Sequence, residues 1–162
     1  MAIPDLPNIT NQQLEEIANR FLTEGETFKE LKGISDEELE AVYAVGHNLF
    51  STGRYDDAEN AFKLLCFLDH LNKKFWLGLG ACRRAKKDYQ GAIDAFGLAG
   101  VLDLEDARAA LQSGECHILL GNKEAAISAY NAVIRYSKDA PSRTRAEMML
   151  KSLGDQPAQN QA

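Results

Sequence analysis

The sequence predicts an all-α protein, a solenoid of three stacked helix pairs. Two observations lead to this fold class: residue types recur every 34 positions, and helix-start signals open the intervening segments. The period is clearest around Gly80 and holds with no insertion in either direction. The recurring residues are Gly46, Gly80 and Gly114, then Ala58, Ala92 and Ala126, then Phe62, Phe96 and Tyr130.

These residue types suit close packing of helices. Glycine and alanine let two helix backbones approach, and the aromatic residue one turn after each alanine fills the wider gap on the same face. This pattern is that of the tetratricopeptide repeat, a two-helix unit of 34 residues. A single pair cannot bury its apolar face, so the pairs stack into a curved array whose first helices line the concave side.

The segment before the repeats carries its own helix signals. Thr10 and Gln13 form a capping box, and the apolar side chains behind it fall at helical spacing. We call this set the N-terminal stripe; it comprises Leu14, Ile17, Ala18, Phe21 and Leu22. Gly25 ends that helix, and Phe28 and Leu31 suggest one more turn before Gly33. The segment does not match the repeat, so it is either a cap on the array or a contact with another molecule.

The repeats follow in order. Ser35 and Glu38 form a second capping box that opens the first repeat, and Pro141 opens a final capping helix. Turns are expected at Gly53, near Lys87 and at Gly121. The predicted organisation is a flexible arm (1–9), an N-terminal helical segment acting as cap or dimer contact (10–34), three repeats (35–140), a C-terminal capping helix (141–153) and a disordered tail (154–162).

Composition narrows the partners and the compartment. With 18 basic and 24 acidic residues the net charge is −6, which argues against nucleic acid and against an anionic membrane surface. No apolar run approaches the length of a membrane span, and the first ten residues do not resemble a signal peptide. Three cysteines, an odd number scattered within predicted helices, fit reduced thiols. We therefore expect a cytoplasmic protein.

Catalytic chemistry is not indicated. Cys82 and Cys116 lie 34 residues apart, at equivalent positions inside the packed layer, where cysteine acts as a small apolar residue. No metal-binding Cys or His spacing, phosphate-binding glycine loop or nucleophile elbow occurs. The sequence thus predicts no enzyme, no metal site and no cofactor. A metal-dependent enzyme using the Cys and His residues remains a remote alternative.

The concave face is the candidate site. In a tetratricopeptide repeat, the second, fifth, ninth and twelfth positions of each first helix face the groove. Those positions are Glu40, Tyr43, His47 and Phe50 in the first repeat, Lys74, Leu77, Ala81 and Arg84 in the second, and Arg108, Leu111, Glu115 and Ile118 in the third. Large apolar residues on an open helix face indicate a partner that covers them. Alternatively, some of them are core residues beneath the leading helix.

One block of the chain resembles a known family. The run from Tyr55 to Phe96 is similar to the class II chaperones of bacterial type III secretion, which serve two hydrophobic pore-forming translocators. The matching residues are Phe62, Leu65, Cys66, Leu68, Asp69, His70, Phe75, Leu77, Gly78, Leu79, Gly80, Ala81, Cys82 and Arg83. The resemblance covers about residues 10–150.

The resemblance implies a function and its residues. Members of that family are cytoplasmic, lack ATPase activity and hold an extended translocator segment in the concave groove. First-repeat aromatic residues bind the client there, which corresponds here to Tyr43, His47 and Phe50, with His47 replacing a frequent aromatic. Several members dimerise through the N-terminal region, which implies a homodimer contact at Leu14, Ile17 and Phe21.

Two other functions are compatible with the same fold. A co-chaperone that grips a C-terminal carboxylate needs several basic and amide residues at defined groove positions. The matching positions are Tyr43, His47, Gly78, Arg108 and Gln112. Only Arg108 is basic, so a carboxylate would be weakly held. A general scaffold for a cytosolic assembly is the second alternative to a translocator chaperone.

Overall fold

The computed structural model describes residues 26–154. Within that range the chain forms eight α-helices and no strand, which confirms the all-α fold class. The helices are α1 (Phe28–Lys32), α2 (Asp36–Ser51), α3 (Tyr55–Leu68), α4 (Lys73–Ala85), α5 (Tyr89–Leu102), α6 (Ala107–Leu119), α7 (Lys123–Tyr136) and α8 (Ala140–Ser152). The arm, the N-terminal stripe, the Thr10 capping box and the tail beyond Gly154 lie outside the described residues.

Helix starts are encoded by side-chain caps. Ser35 accepts a hydrogen bond from the Glu38 amide, and the Glu38 carboxylate accepts one from the Ser35 amide, which completes the predicted capping box. Thr27 and Glu30 make the same arrangement at α1. Gly33 follows α1 with φ of 67°, a left-handed conformation that favours glycine. These local interactions separate α1 from α2.

The helices pair and stack in chain order. Consecutive helices from α2 to α8 all pack against one another. Successive first helices (α2, α4, α6 and then α8) also touch, whereas successive second helices in the described chain do not. The array therefore curves with its first helices on the inside.

The repeated glycines accept the aromatic rings of the second helices. A Cβ at Gly80 would lie 2.5 Å from the Phe96 ring, and a Cβ at Gly114 would lie 2.6 Å from the Tyr130 ring. Gly46 is less crowded, because its Cβ would lie 3.3 Å from the nearest atoms, which include the Phe62 ring. The aromatic side chain thus fills the space that the missing side chain leaves, mainly within its own repeat.

The cysteines lie inside this packing. Cys82 and Cys116 are fully buried, and Cys66 is buried beside Leu65 in the first core cluster. Burial raises the pKa of the Cys66 thiol to about 12 and that of Cys82 to about 11. These thiols are therefore protonated at neutral pH and serve as small apolar residues.

The two ends of the described array are covered to different extents. At the C-terminal end α8 packs on both α6 and α7, and Ala146 and Leu150 enter the last core cluster. At the N-terminal end α1 touches α3, where the Phe28 and Phe67 rings lie 4.8 Å apart. This difference affects which residues of the concave groove are buried.

Candidate functional site

A cavity of about 250 Å³ opens on the concave side between α2 and α4. We call it the groove cavity. Its walls come from three successive first helices, with one residue from α3 at its base. The lining residues are Tyr43, His47, Phe50, Phe62, Lys74, Leu77, Gly78, Ala81 and Arg108. Seven of them belong to the twelve groove positions predicted from the sequence, so the structure brings those seven together.

The base of the groove cavity is the Phe62 ring. A Cβ at Gly78 would lie 2.2 Å from this ring, so only glycine lets α4 pass so close to it. The Tyr43 ring meets the Phe62 ring edge-on, with 5.7 Å between centroids, and lies 6.1 Å from the Phe75 ring. Tyr43 and Phe50 are half-buried and pack against the first core cluster while also lining the groove cavity. His47 is exposed at the wall.

Two cations lie at the rim of the groove cavity. The Lys74 Nζ is 3.9 Å from the Tyr43 ring centroid and donates to the Glu40 carboxylate at 2.5 Å. Arg108 makes a two-pronged hydrogen bond to Asp106. The Arg108 hydrogen bond, more than any other contact, lowers the pKa of Asp106, so this carboxylate stays ionised. The rim is therefore charged and the floor is apolar.

In the third repeat, the concave side carries a group of ion pairs. Arg84 donates to Glu115 at 2.7 Å, and Arg145 of α8 donates to the other oxygen of the same carboxylate. One glutamate thus joins the second repeat, the third repeat and the capping helix. This ion-pair group occupies the concave side at positions predicted to contact a client.

Two predicted groove residues of the third repeat serve the core instead. Leu111 is 6% exposed and belongs to the last core cluster, with Tyr130 and Leu150. Ile118 is partly buried against the same cluster. The expectation that Leu111 stands on the open face is therefore wrong, because the packing of α8 on α6 and α7 closes this end. A client would meet little of its side chain.

Two residues of the groove cavity were not assigned to it from the sequence. Phe62 was assigned to packing alone, and Gly78 lies outside the recurring glycine position. The signal that could have revealed Gly78 is its spacing of two from Gly80, which places the two glycines on nearly opposite faces of α4. The Phe62 ring lies against Gly78 on one face, and the Phe96 ring lies against Gly80 on the other.

Other kinds of site lack support in the described part of the chain. Residues 26–154 contain no group of three metal-ligating side chains. Among the helices of that range, none combines the length and the hydrophobicity that crossing a bilayer requires.

Comparison with known proteins follows the repeat boundaries. The tetratricopeptide-repeat family models match residues 39–72, 74–106 and 107–139, which together exceed half of the chain. Each match starts within or directly before a first helix and ends at or shortly after the second helix of the pair.

Similarity to individual proteins extends over most of the chain. "Low calcium response locus protein H" of Yersinia pseudotuberculosis is 32% identical over 88% of this chain and 87% of that protein. A type III secretion complex from Aeromonas hydrophila matches with a TM-score of 0.80 and 33% identity, covering 86% of this chain and 95% of that one. The Yersinia enterocolitica chaperone SycD, in complex with a peptide of the translocator YopD, matches with a TM-score of 0.70 and 33% identity, covering 75% and 95%.

Proposed function

The chain belongs to the tetratricopeptide-repeat family of class II chaperones of type III secretion, and from this premise we propose that it binds hydrophobic translocators. An extended translocator segment lies in the concave groove, with an apolar anchor in the groove cavity over Phe62. The groove cavity is the observation that carries this proposal, because it offers an apolar floor that no described segment of the chain fills. The YopD peptide bound by SycD supports the same class of client.

The chemistry of the client explains why it needs a chaperone. A protein that inserts into membranes carries apolar segments that aggregate, or enter the wrong bilayer, before secretion. Covering roughly 400 Å² of apolar surface at about 25 cal/mol per Å² contributes about 10 kcal/mol before the cost of ordering a flexible segment. The net affinity is therefore moderate, and release needs no nucleotide. In this function the protein acts in the bacterial cytoplasm and performs no catalysis.

The groove residues have distinct roles in this proposal. Tyr43, Phe50 and Leu77 contact the anchor, whereas Lys74 and Arg108 flank it. Arg84 and Glu115 line the path of the segment farther along. The dimer contact at Leu14, Ile17 and Phe21 stays a prediction. No observation on the described residues specifically favours a role as a general scaffold.

Filling the groove cavity tests the proposal. Ala81→Glu places a charged side chain in it from α4, without removing any core contact. We expect the affinity for a peptide from the N-terminal part of a translocator to fall at least a hundredfold by titration calorimetry, a size typical of a hot-spot change. The melting temperature should change little.

Ser128→Glu is the matched control, because Ser128 is exposed on α7 and outside the groove cavity. It should bind the peptide as the wild type does. Equal affinities for the two variants and the wild type would place the client elsewhere on the molecule.

A further inference from the structure

The convex side of the array has an apolar groove of about 260 Å³ between α5 and α7. We call it the convex groove. Its lining is almost wholly apolar, and Val101 and Leu104 at its edge are 78% and 59% exposed. Its principal residues are Gly97, Gly100, Val101, Leu104, Ala110 and Tyr136. A contiguous apolar lining with exposed large side chains marks a candidate interaction surface.

The same groove one repeat earlier shows what such a surface accepts. Shifting by 34 residues relates Val101 to Phe67, and Phe67 is covered in part by Phe28 of α1, with ring centroids 4.8 Å apart. Both grooves lie at equivalent places between repeats. The earlier groove thus receives a short amphipathic piece of the chain's own N-terminal region.

Two positions of the convex groove carry smaller residues than its counterpart does. Gly100 stands where the earlier groove has Cys66, and Ala110 stands where it has Trp76. A Cβ at Gly97 would meet no atom within 4 Å, so this wall is open. An apolar side chain of an occupant can therefore come close to the backbone of α5 at Gly97.

The chain that precedes α1 begins beside the rim of the convex groove. Thr27 and Asp103 line one depression, and Asp103 also lies on the rim of the convex groove. Four residues separate Leu22 from Thr27, so the two positions are at most about 17 Å apart when the chain is extended. The N-terminal stripe is therefore within reach on the same molecule, and a short tether gives it a high effective concentration there.

We propose that the N-terminal stripe docks in the convex groove of the same chain, as α1 docks on the groove before it. The large members of the stripe, Leu14, Ile17 and Phe21, then cover Val101 and Leu104. This gives the stripe an intramolecular contact in place of the dimer contact predicted for Leu14, Ile17 and Phe21, and the two arrangements exclude each other. The inference goes beyond client binding, which uses the opposite face of the array.

Cross-linking tests the proposal directly on the full chain. Phe21→Cys with Leu104→Cys places one thiol on the stripe and one at the convex groove, and the three native cysteines are buried. We expect a short bismaleimide to join the two new thiols within one molecule. The rate should be at least ten times that of the control pair Phe21→Cys with Met148→Cys, and it should not depend on protein concentration. Met148 is an exposed apolar residue on α8.

Two outcomes of this experiment would overturn the proposal. Equal rates for the two pairs would mean that the stripe does not dock in the convex groove. A cross-link that joins two molecules and grows with concentration would assign the groove to a second copy instead.

A hydrogen-exchange measurement gives an independent result. Val101→Glu puts a charge at an exposed position of the convex groove, so the repeats should stay folded by circular dichroism. Amide exchange in residues 14–22 should accelerate at least tenfold, whereas Met148→Glu should leave it unchanged. Equal exchange in the wild type and Val101→Glu would contradict docking.

Discussion

The first and last junctions of the array follow the same repeat register but use different chemistry. Where the first repeat meets the second, Phe62 floors an open cavity with Leu77 in its wall. Around the third repeat, Tyr130 (two repeats after Phe62) and Leu111 (one repeat after Leu77) are both buried in one core cluster with residues of α8. The repeat period therefore predicts where a side chain lies along the array. Whether that side chain reaches solvent depends on what packs over it.

The convex side differs between the repeats as well. Glu59 is buried in α3 and accepts hydrogen bonds from Arg83 of α4 and from Lys86, the residue after α4. It also pairs with Lys63. Ile93 and Ile127 occupy the equivalent positions of the later repeats. An ion-pair cluster thus joins the first two repeats at a position where the later repeats carry an apolar side chain.

The largest expected effect is the difference in stability between alanine variants at two equivalent positions, Leu111 in the core and Leu77 in the groove cavity. Leu111→Ala should lower the free energy of unfolding by about 2–5 kcal/mol, because it leaves a cavity in a closed cluster. Leu77→Ala should cost less stability and more client affinity, since Leu77 is only partly buried and lines the groove cavity. Urea denaturation and titration calorimetry of both variants measure the contrast. Equal losses of unfolding free energy in the two variants would mean that Leu77 and Leu111 are packed equally well.

Glycine replacement at equivalent positions should give the next largest contrast. Gly114→Ala forces a Cβ to 2.6 Å from the Tyr130 ring and should cost about 1–3 kcal/mol. Gly46→Ala meets its nearest atoms at 3.3 Å and gains helix propensity, so its stability should stay within about 1 kcal/mol of the wild type. Thermal melts of the two variants provide the test, and a larger loss for Gly46→Ala would reverse the comparison.

The Glu59 cluster should give the smallest effect, and one that depends on pH. Burial alone would raise the pKa of Glu59, but hydrogen bonds from Lys63, Lys86 and Arg83 outweigh burial and lower the pKa to about 2, from 4.5. The stabilisation from ionised Glu59 is thus complete above about pH 4.5 and is lost as the pH falls toward 2. Glu59→Gln should cost about 1 kcal/mol at pH 7, since the three cations stay partly solvated.

Denaturation at several pH values checks this expectation. The stability difference between wild type and Glu59→Gln should shrink as the pH falls from 4.5 toward 2. Glu124→Gln, at an exposed position of α7, controls for the loss of one negative charge. A difference that does not change with pH would remove the ion-pair explanation.

Much of the architecture was predictable from the sequence because its causes are local. The Ser35 capping box sets the start of α2, and the glycine and aromatic pairs at Gly80 and Gly114 set the pairing within each repeat. Seven of the predicted groove residues line one cavity, and their contact with a client stays a prediction. The burial of Leu111 was not predictable, because it depends on α8, which lies about 30 residues farther along the chain. The convex groove arises from small residues whose joint effect appears only when α5, α6 and α7 pack together.

The position of Lys74 has a consequence for how a client arrives and leaves. Its ammonium group rests over the Tyr43 ring and on Glu40, so the chain itself already contacts part of the surface that we propose for the client. We expect a client anchor that takes the face of the Tyr43 ring to displace these contacts, which are worth about 1–2 kcal/mol. The affinity reflects the difference between the two sets of contacts, and when the client departs, the returning lysine covers the ring that it leaves.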